Sequence, residues 1–591
     1  MSLLSNQLNR HRVWLIVSLC LTVVITLPGA FVATPHIVRW RMMSRINSDE
    51  SADRQIAFNY IMHHVGDDPR VLAACISLLD TADTDRFLDL MNALDQGGQW
   101  RLTVVGDQPW IRWLEILSSD LAEESRIHAA QIAADAPELA RNNVVTGMFE
   151  RLIADSAVDV RYNAMVAMAE MAGAVGPGHP FEAALHRAAG DANPTIARQA
   201  WLILGSLRPE SGVTANWRDA DAHVAPAMLW AAVTTNPDQP RPALDALADQ
   251  RVSPALRGMA AYMLGMRGRR VAGGGAVEAM FDRLLSRGPG AVNEDNALLY
   301  WRVVLTTPPL TALHRYMQSF ADPGVAHGAL LPIALAAQFR LGSQAPLPPT
   351  IVTPAPIHEL MALAHAESGD PVDAVPDNAP DMLRMAIVAS MREPAPDDLL
   401  PVFDHEAPAL RDRACVIAGD RFTPEQNTAL IAGLLADYND RAKMSGAVLA
   451  GLTGLQTSLL ERKHGQEDNP QVQQVMELGL WMQGKRPEFD CAVSLWLTHD
   501  DLPATTILLA KLHRRRAEAL DDLLNPRGEL TLDLVELLDH YRWWHVLKHY
   551  LPEDAPPFWV WADPQLEQFQ IDVLRNWYLV NRHRFRAEGV R

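Results

Sequence analysis

TGMFERLIADS (146–156), VRYNAMVAMAEMAG (160–173), FEAALHRAAG (181–190) and TIARQAWLILG (195–205) follow one another with only short polar breaks between them. The breaks are Ala157–Asp159, Gly176–Pro180 and the DANP turn at 191–194. Within each stretch the apolar residues recur three and four apart, the spacing of one helix face. The segment therefore reads as helix, turn, helix, twice over. The two copies are in register, because Asp155 and Asp191 are 36 residues apart and so are Ala164 and Ala200. A helical hairpin repeated at that period is the mark of an α-solenoid, whose units bury their apolar faces only against their neighbours. Alanine at the facing positions lets two helix axes approach closely, while Met, Leu, Ile and Trp fill the seam.

The pattern extends in both directions. One unit earlier, IRWLEILSSD (111–120) leads into ESRIHAAQIAA (124–134), with Ala129 lying 35 residues before Ala164. Further on, AMFDRLLSRG (279–288) matches GMFERLIADS (147–156) at four positions, and NALLYWRVVL (296–305) supplies its second helix. Residues 49–96 also read as helical, with FNYIMHHV (58–65) and RVLAACISLLD (70–80) on either side of the GDDP turn. Gln99–Val105 is the one strand-like stretch, and a lone strand has no partner, so it is discounted.

These helix pairs resemble HEAT repeats. The second helix of such repeats commonly opens with an acid, an aliphatic residue, an arginine, and an alanine three further on. Asp159-Val160-Arg161-Tyr162-Asn163-Ala164 fits in full, and the segments around Arg126, Arg257 and Arg411 fit in part. The resemblance implies a ladder of acid–arginine contacts between neighbouring repeats, to which Asp159 and Arg161 are suited. Ala197 takes the arginine position of the next unit, with Arg198 beside it, so the ladder is expected to break there. The match is clear over 110–305 and weak beyond 400. It implies a fold and no ligand.

Before the array stands VWLIVSLCLTVVITLPGAFVA (13–33), 21 residues without a charge, flanked by Arg10 and Arg12 and by Arg39, Arg41 and Arg45. A helix of that length covers about 31 Å, roughly a bilayer's hydrocarbon core. A retained single-pass anchor is expected. The competing reading is a cleaved signal peptide, disfavoured because Phe31 and Pro28 stand where small residues belong before a cut. The arginine distribution leaves the side of the soluble region open. The expected organisation is an all-α chain: a tail (1–12), a transmembrane helix (13–33) and a HEAT-like array (49–344). A Pro-rich joint (345–401) and a second helical block (402–591) follow.

APLPPTIVTPAP (345–356) holds five prolines in twelve residues and cannot be regular helix. The whole joint has 11 prolines in 57 residues, with short helical pieces such as IHELMALAHA (357–366) and DMLRMAIVASM (381–391) between them, and long inter-repeat loops are the alternative reading. The second block closes on an aromatic segment, with 11 of the chain's 39 aromatic residues lying between Tyr541 and Arg591. Its last helix is expected to start at Asp563 and Pro564. It should lay Leu566, Phe569, Val573, Trp577 and Val580 along one face. The segment reads first as a cap for the array. It reads second as a partner surface offered by Trp543, Trp544, Trp559 and Trp561, since tryptophan combines an apolar body with a polar tip.

Net charge is −19, and the basic residues are nearly all arginine, with five lysines. An acidic body argues against nucleic acid, whose affinity comes largely from phosphate neutralisation. The four cysteines are scattered and form no metal or haem motif. His63-His64 with Asp67 and Asp68, and His499 with Asp500 and Asp501, lack a second cluster at ligand spacing. No metal or cofactor is expected. Gly273–Gly275 lacks the lysine of a phosphate loop. Arg514-Arg515-Arg516 faces several directions of a helix and reads first as a solvated helix surface, second as a site for an acidic partner. Two function classes remain: a membrane-tethered scaffold that binds a partner protein, and an enzyme or accessory subunit with a site in the solenoid groove. A cluster of perturbed His, Asp or Arg in one pocket would favour the second.

Overall fold

A computed structural model describes residues 40–46, 50–98, 102–207, 216–235, 241–249, 251–268, 381–391, 393–486, 503–524, 541–552 and 564–588, with a few isolated positions between them. Every regular element among these residues is a helix, as expected for an all-α chain. None of the described helices is long and apolar enough to cross a membrane. The stretch 13–33 lies outside the described residues, as do 279–288, 296–305, 357–366, Gly273–Gly275 and His499–Asp501. Within Gln99–Val105, Leu102–Val105 forms a single helical turn. The chain divides into two compact units, Met1–Val160 and Arg161–Arg591.

The first unit contains α1 (Ser51–His64), α2 (Pro69–Leu79), α3 (Thr84–Gln96), the short α4 (Leu102–Val105), α5 (Asp107–Ser118), α6 (Glu123–Ala134) and α7 (Asn143–Leu152). Local chemistry sets the helix starts. Asp68 accepts the Arg70 N–H in front of Pro69, and Asp83 accepts the Arg86 N–H at the start of α3. Helix α5 packs against both α6 and α7, the neighbour-on-neighbour contact of stacked hairpins. Trp110, Trp113, Phe87 and Phe149 are fully buried in this unit.

Helix α8 (Val158–Val175) contains the division, and the second unit continues with α9 (Glu182–Ala188), α10 (Pro194–Leu207), α11 (Ala225–Thr235), α12 (Arg241–Ala248) and α13 (Pro254–Gly268). After the undescribed stretch come α14 (Asp381–Ser390), α15 (Leu400–Phe403), α16 (Pro408–Arg421), α17 (Pro424–Ala436), α18 (Asp440–Thr453), α19 (Thr457–His464) and α20 (Pro470–Met482). Then follow α21 (Ala504–Arg514), α22 (Arg516–Leu524), α23 (Tyr541–Tyr550) and α24 (Pro564–Glu588). Helices α16, α18 and α20 stack side by side, with α17 packed on α18 and α19 on α20. Their starts are roughly 30 residues apart, shorter than the N-terminal period.

The turns share one device. Asp120, Asp155, Asp191 and Asp437 each accept the backbone N–H two residues on, at 2.8–2.9 Å. This Asx turn closes the hairpin before the next helix starts. The ladder follows from it. Arg126 pairs with Asp155 at 2.8 Å and Arg161 with Asp191 at 2.9 Å, so the arginine of one repeat reaches the turn aspartate of the next. The acid on which these arginines close is thus the turn residue of the following hairpin, one register on from the Asp159 position. Arg198, where a break is expected, turns instead to Asp572 on α24.

Helix α24 begins at Pro564 as expected, and Leu566, Phe569, Val573, Trp577 and Val580 are all buried. Each such side chain contributes about 1.5–3 kcal/mol on leaving water. The helix does more than seal a terminal pair. It packs against α10 and α13 from the N-terminal repeats and also against α22 from the C-terminal block. Phe569 stands edge-on to both Trp230 and Tyr262, with ring centroids 6.5 and 6.4 Å away. Gln199 donates to Asn576 at 2.9 Å inside the same contact.

Candidate functional site

A cleft of about 440 Å³ opens in the second unit, within the size range of small-ligand sites. Its wall is built from helix ends. Val416, Gly419, Asp420 and Phe422 come from the last two turns of α16 and its cap, and Leu452, Thr453 and Leu455 from the end of α18 and the turn just after it. His513 comes from the end of α21, and His549 and Tyr550 from the end of α23. Pro424 and Asn427 belong to the opening of α17. The helices arrive together because α16 packs on α18, α21 and α23 at once.

The polar groups have defined partners. His549 Nδ1 lies 2.9 Å from Asp420 Oδ2. In the neutral ring this contact places the proton on Nδ1 and leaves Nε2 as an acceptor. Burial, helped by the neighbouring His549, pulls the His513 pKa down and so favours the neutral ring. Burial likewise pushes the Tyr550 phenol up, aided by the Asp420 charge. Asn427 is 2 % exposed, and its Nδ2 donates to the carbonyls of Ala418 and Phe422. Its Oδ1 is buried with no hydrogen-bond partner. Apolar contact comes from Val416, Phe422, Leu452 and Leu455.

Nucleophiles are poorly placed. Thr453 Oγ1 donates back to the Leu449 carbonyl at 2.8 Å. Cys415 sits beside the wall, but its Sγ donates to the Ser445 carbonyl and burial raises its thiol pKa, keeping it protonated. Among the described residues no group of three His, Cys, Asp or Glu side chains is arranged to hold a metal ion. The cleft can therefore bind and orient a ligand.

The residues singled out from sequence are elsewhere. Trp543 and Trp544 fall on α23, but their side chains lie outside the description, as do Trp559 and Trp561 altogether. His63 contacts the Asn59 carbonyl at 2.7 Å, His64 lies against the Tyr60 ring, and Asp68 caps α2. The arginine triplet corrects a sequence expectation. It sits at the break between α21 and α22 and is only half-exposed: Arg514 stacks 5.0 Å from Trp481, Arg515 pairs with Glu518, and Arg516 lies over Phe585. The cleft residues were missed because His513, Asp420 and His549 are scattered over 130 positions with no local spacing to link them. Their only common signal is that each closes an apolar helical run. No protein-family model matches the chain, and no curated protein matches it.

Proposed function

We propose that the chain is a membrane-tethered scaffold of HEAT-like repeats that holds a partner protein on its helical surface, with the stretch 13–33 as its single-pass anchor. The observation that carries this reading is the cleft at the ends of α16, α18, α21 and α23: an open, half-apolar recess with directed polar groups and no activated nucleophile among them. Recesses of this kind accept an anchoring side chain in protein recognition. Leu121 and Tyr438 add side chains at turn tips that are 98 % and 101 % exposed. Near the anchor, Trp40 is 71 % exposed beside Arg41, the pairing favoured at a membrane–water interface.

A second reading is supported by the His549–Asp420 pair. An imidazole oriented by a carboxylate is the arrangement of a general base, and it lies in a pocket with perturbed neighbours. On that reading the chain is an enzyme or an accessory subunit acting at the cleft.

Capture from detergent-solubilised membranes separates the two. A scaffold brings down a stoichiometric partner that is lost when the cleft is filled by Gly419→Leu. Capture of the bare chain, with turnover abolished by His549→Ala in an activity screen, would replace the scaffold reading by the enzymatic one. Release of the full chain from membranes by carbonate would remove the anchor.

A further inference from the structure

Helix α24 has two faces with different neighbours. Ile571, Leu574, Trp577, Tyr578 and Phe585 belong to one apolar core with residues of α14–α23, and that core holds no residue of α8–α13. Phe569, Asp572, Asn576 and Val580, three and four apart, meet instead the N-terminal repeats: Trp230 and Tyr262, Arg198, Gln199 and Gly173 in turn. Val573 lies on the same side by its spacing. Among the described helices, the packing of the C-terminal block on α10 and α13 runs through α24.

The seam on that side is crossed by polar pairs. Arg198 meets Asp572, Gln199 meets Asn576, and Glu170 meets Arg582. Such pairs add little net stability, because their burial forfeits solvation that separation restores. Seams of this composition inside one chain open more readily than apolar ones. Each polar group of α24 at the seam also keeps a partner on its own side. Arg582 holds both oxygens of Asp521 on α22. Gln568 donates to Asp572 at 3.0 Å, and Asn576 Nδ2 donates to the Asp572 carbonyl at 2.8 Å. Separation therefore strands no charge on α24, and it returns Glu170, Arg198 and Gln199 to water.

We propose that α24 is a clasp: its seam face releases α8, α10 and α13 while its opposite face stays in the core of the C-terminal block, so that the second unit opens without unfolding. The surface it controls is aromatic, since release bares Phe569, Trp230 and Tyr262 together. The clasp does not depend on the scaffold reading.

The test is pulsed thiol labelling of the detergent-solubilised full chain with N-ethylmaleimide, read site by site through peptide mass spectrometry. Val573→Cys reports on the seam face, with Val580→Cys as a second reporter should the first misfold. Ile571→Cys reports on the opposite face of α24, and Ala164→Cys on a seam between repeats. Val573, Ile571 and Ala164 are all fully buried, so a cysteine at any of them reacts only when its surroundings open. A cysteine at 573 is expected to react at least tenfold faster than one at 571 or 164. Phe569→Leu, which trims the aromatic contact, should speed 573 at least tenfold further and leave 571 and 164 unchanged. Circular dichroism matching the parent shows that each variant is folded. Equal rates at 573, 571 and 164 would overturn the proposal, because the seam would then open only with the whole fold. Equal acceleration of all three sites by Phe569→Leu would do the same. Fast labelling at both 573 and 571 would also overturn it, since α24 would then be leaving the block instead of holding to it. No partner enters the measurement, so failure of the scaffold reading is read separately.

Discussion

Gly173 on α8 lies directly against the backbone carbonyl of Val580 on α24, so that a single added methyl group would collide with main chain. Main chain cannot rotate away as a side-chain tip can. Gly173→Ala should therefore destabilise the second unit by about 1–3 kcal/mol despite alanine's better helix propensity. Gly433 on α17 is the control, because a Cβ there meets nothing within 4 Å. Gly433→Ala should raise stability by up to about 1 kcal/mol. Urea denaturation of the two variants checks the contrast, and equal midpoints would contradict the crossing of α8 and α24.

Arg582 closes the same contact electrostatically. Its guanidinium takes both oxygens of Asp521, at 2.6 and 2.8 Å, and reaches Glu170 at 2.8 Å. Glu170 is only 4 % exposed at its side chain. Removing a partner of a buried ion pair costs about 3–5 kcal/mol, so Arg582→Ala should be severely destabilising. Arg582→Lys should recover little of this, since an ammonium cannot hold a carboxylate through two parallel bonds. Thermal melts of the two variants decide it, and a Lys variant melting with the parent would show the fork to be unimportant.

Ala164 and Ala200, the pair that set the repeat period, are both fully buried. Leucine at either position must find room in a packed seam, and a loss of about 1–3 kcal/mol is expected. Ala197, a turn of helix from Ala200 and 5 % exposed, tests whether the effect is local. Ala164→Leu unfolding at the parent's denaturant concentration would mean that the proposed register is wrong.

Asp412 gives the fold a pH dependence. Burial raises its carboxyl from 3.8 to about 6, although the Thr506 hydroxyl lies 3.1 Å from both its oxygens. Between about pH 4 and pH 6 the folded chain keeps this proton while the unfolded chain has released it. Stability from this group is therefore present in acid and lost as pH rises through that window, by up to about 3 kcal/mol. Asp412→Asn should remove this contribution, leaving a melting temperature that falls less between pH 4.5 and 7. Parallel profiles for parent and variant would show that Asp412 is charged throughout.

The helical hairpins around Ala164 and Ala200 could be read directly from the chain, because each is a local pattern: apolar residues at helical spacing, an aspartate at the turn, alanine at the seam. The start and buried face of α24 were legible for the same reason, Pro564 and five apolar residues at helical spacing being enough. What that face is buried against was not legible. Arg198–Asp572 and Gln199–Asn576 join residues more than 370 positions apart, and no pattern along the chain links them. The repeats beyond 400 were faint because their period contracts and Asn439 and Asn469 take positions in the contacts between turns, reaching Asp404 and Asp440. The cleft belongs wholly to tertiary structure. Asp420, His513 and His549 each read as an ordinary polar residue at a helix end, and only the packing of α18, α21 and α23 around α16 brings four such ends together. The sequence marks where each helix stops, and only the packing of distant helices makes several of those ends line one cleft.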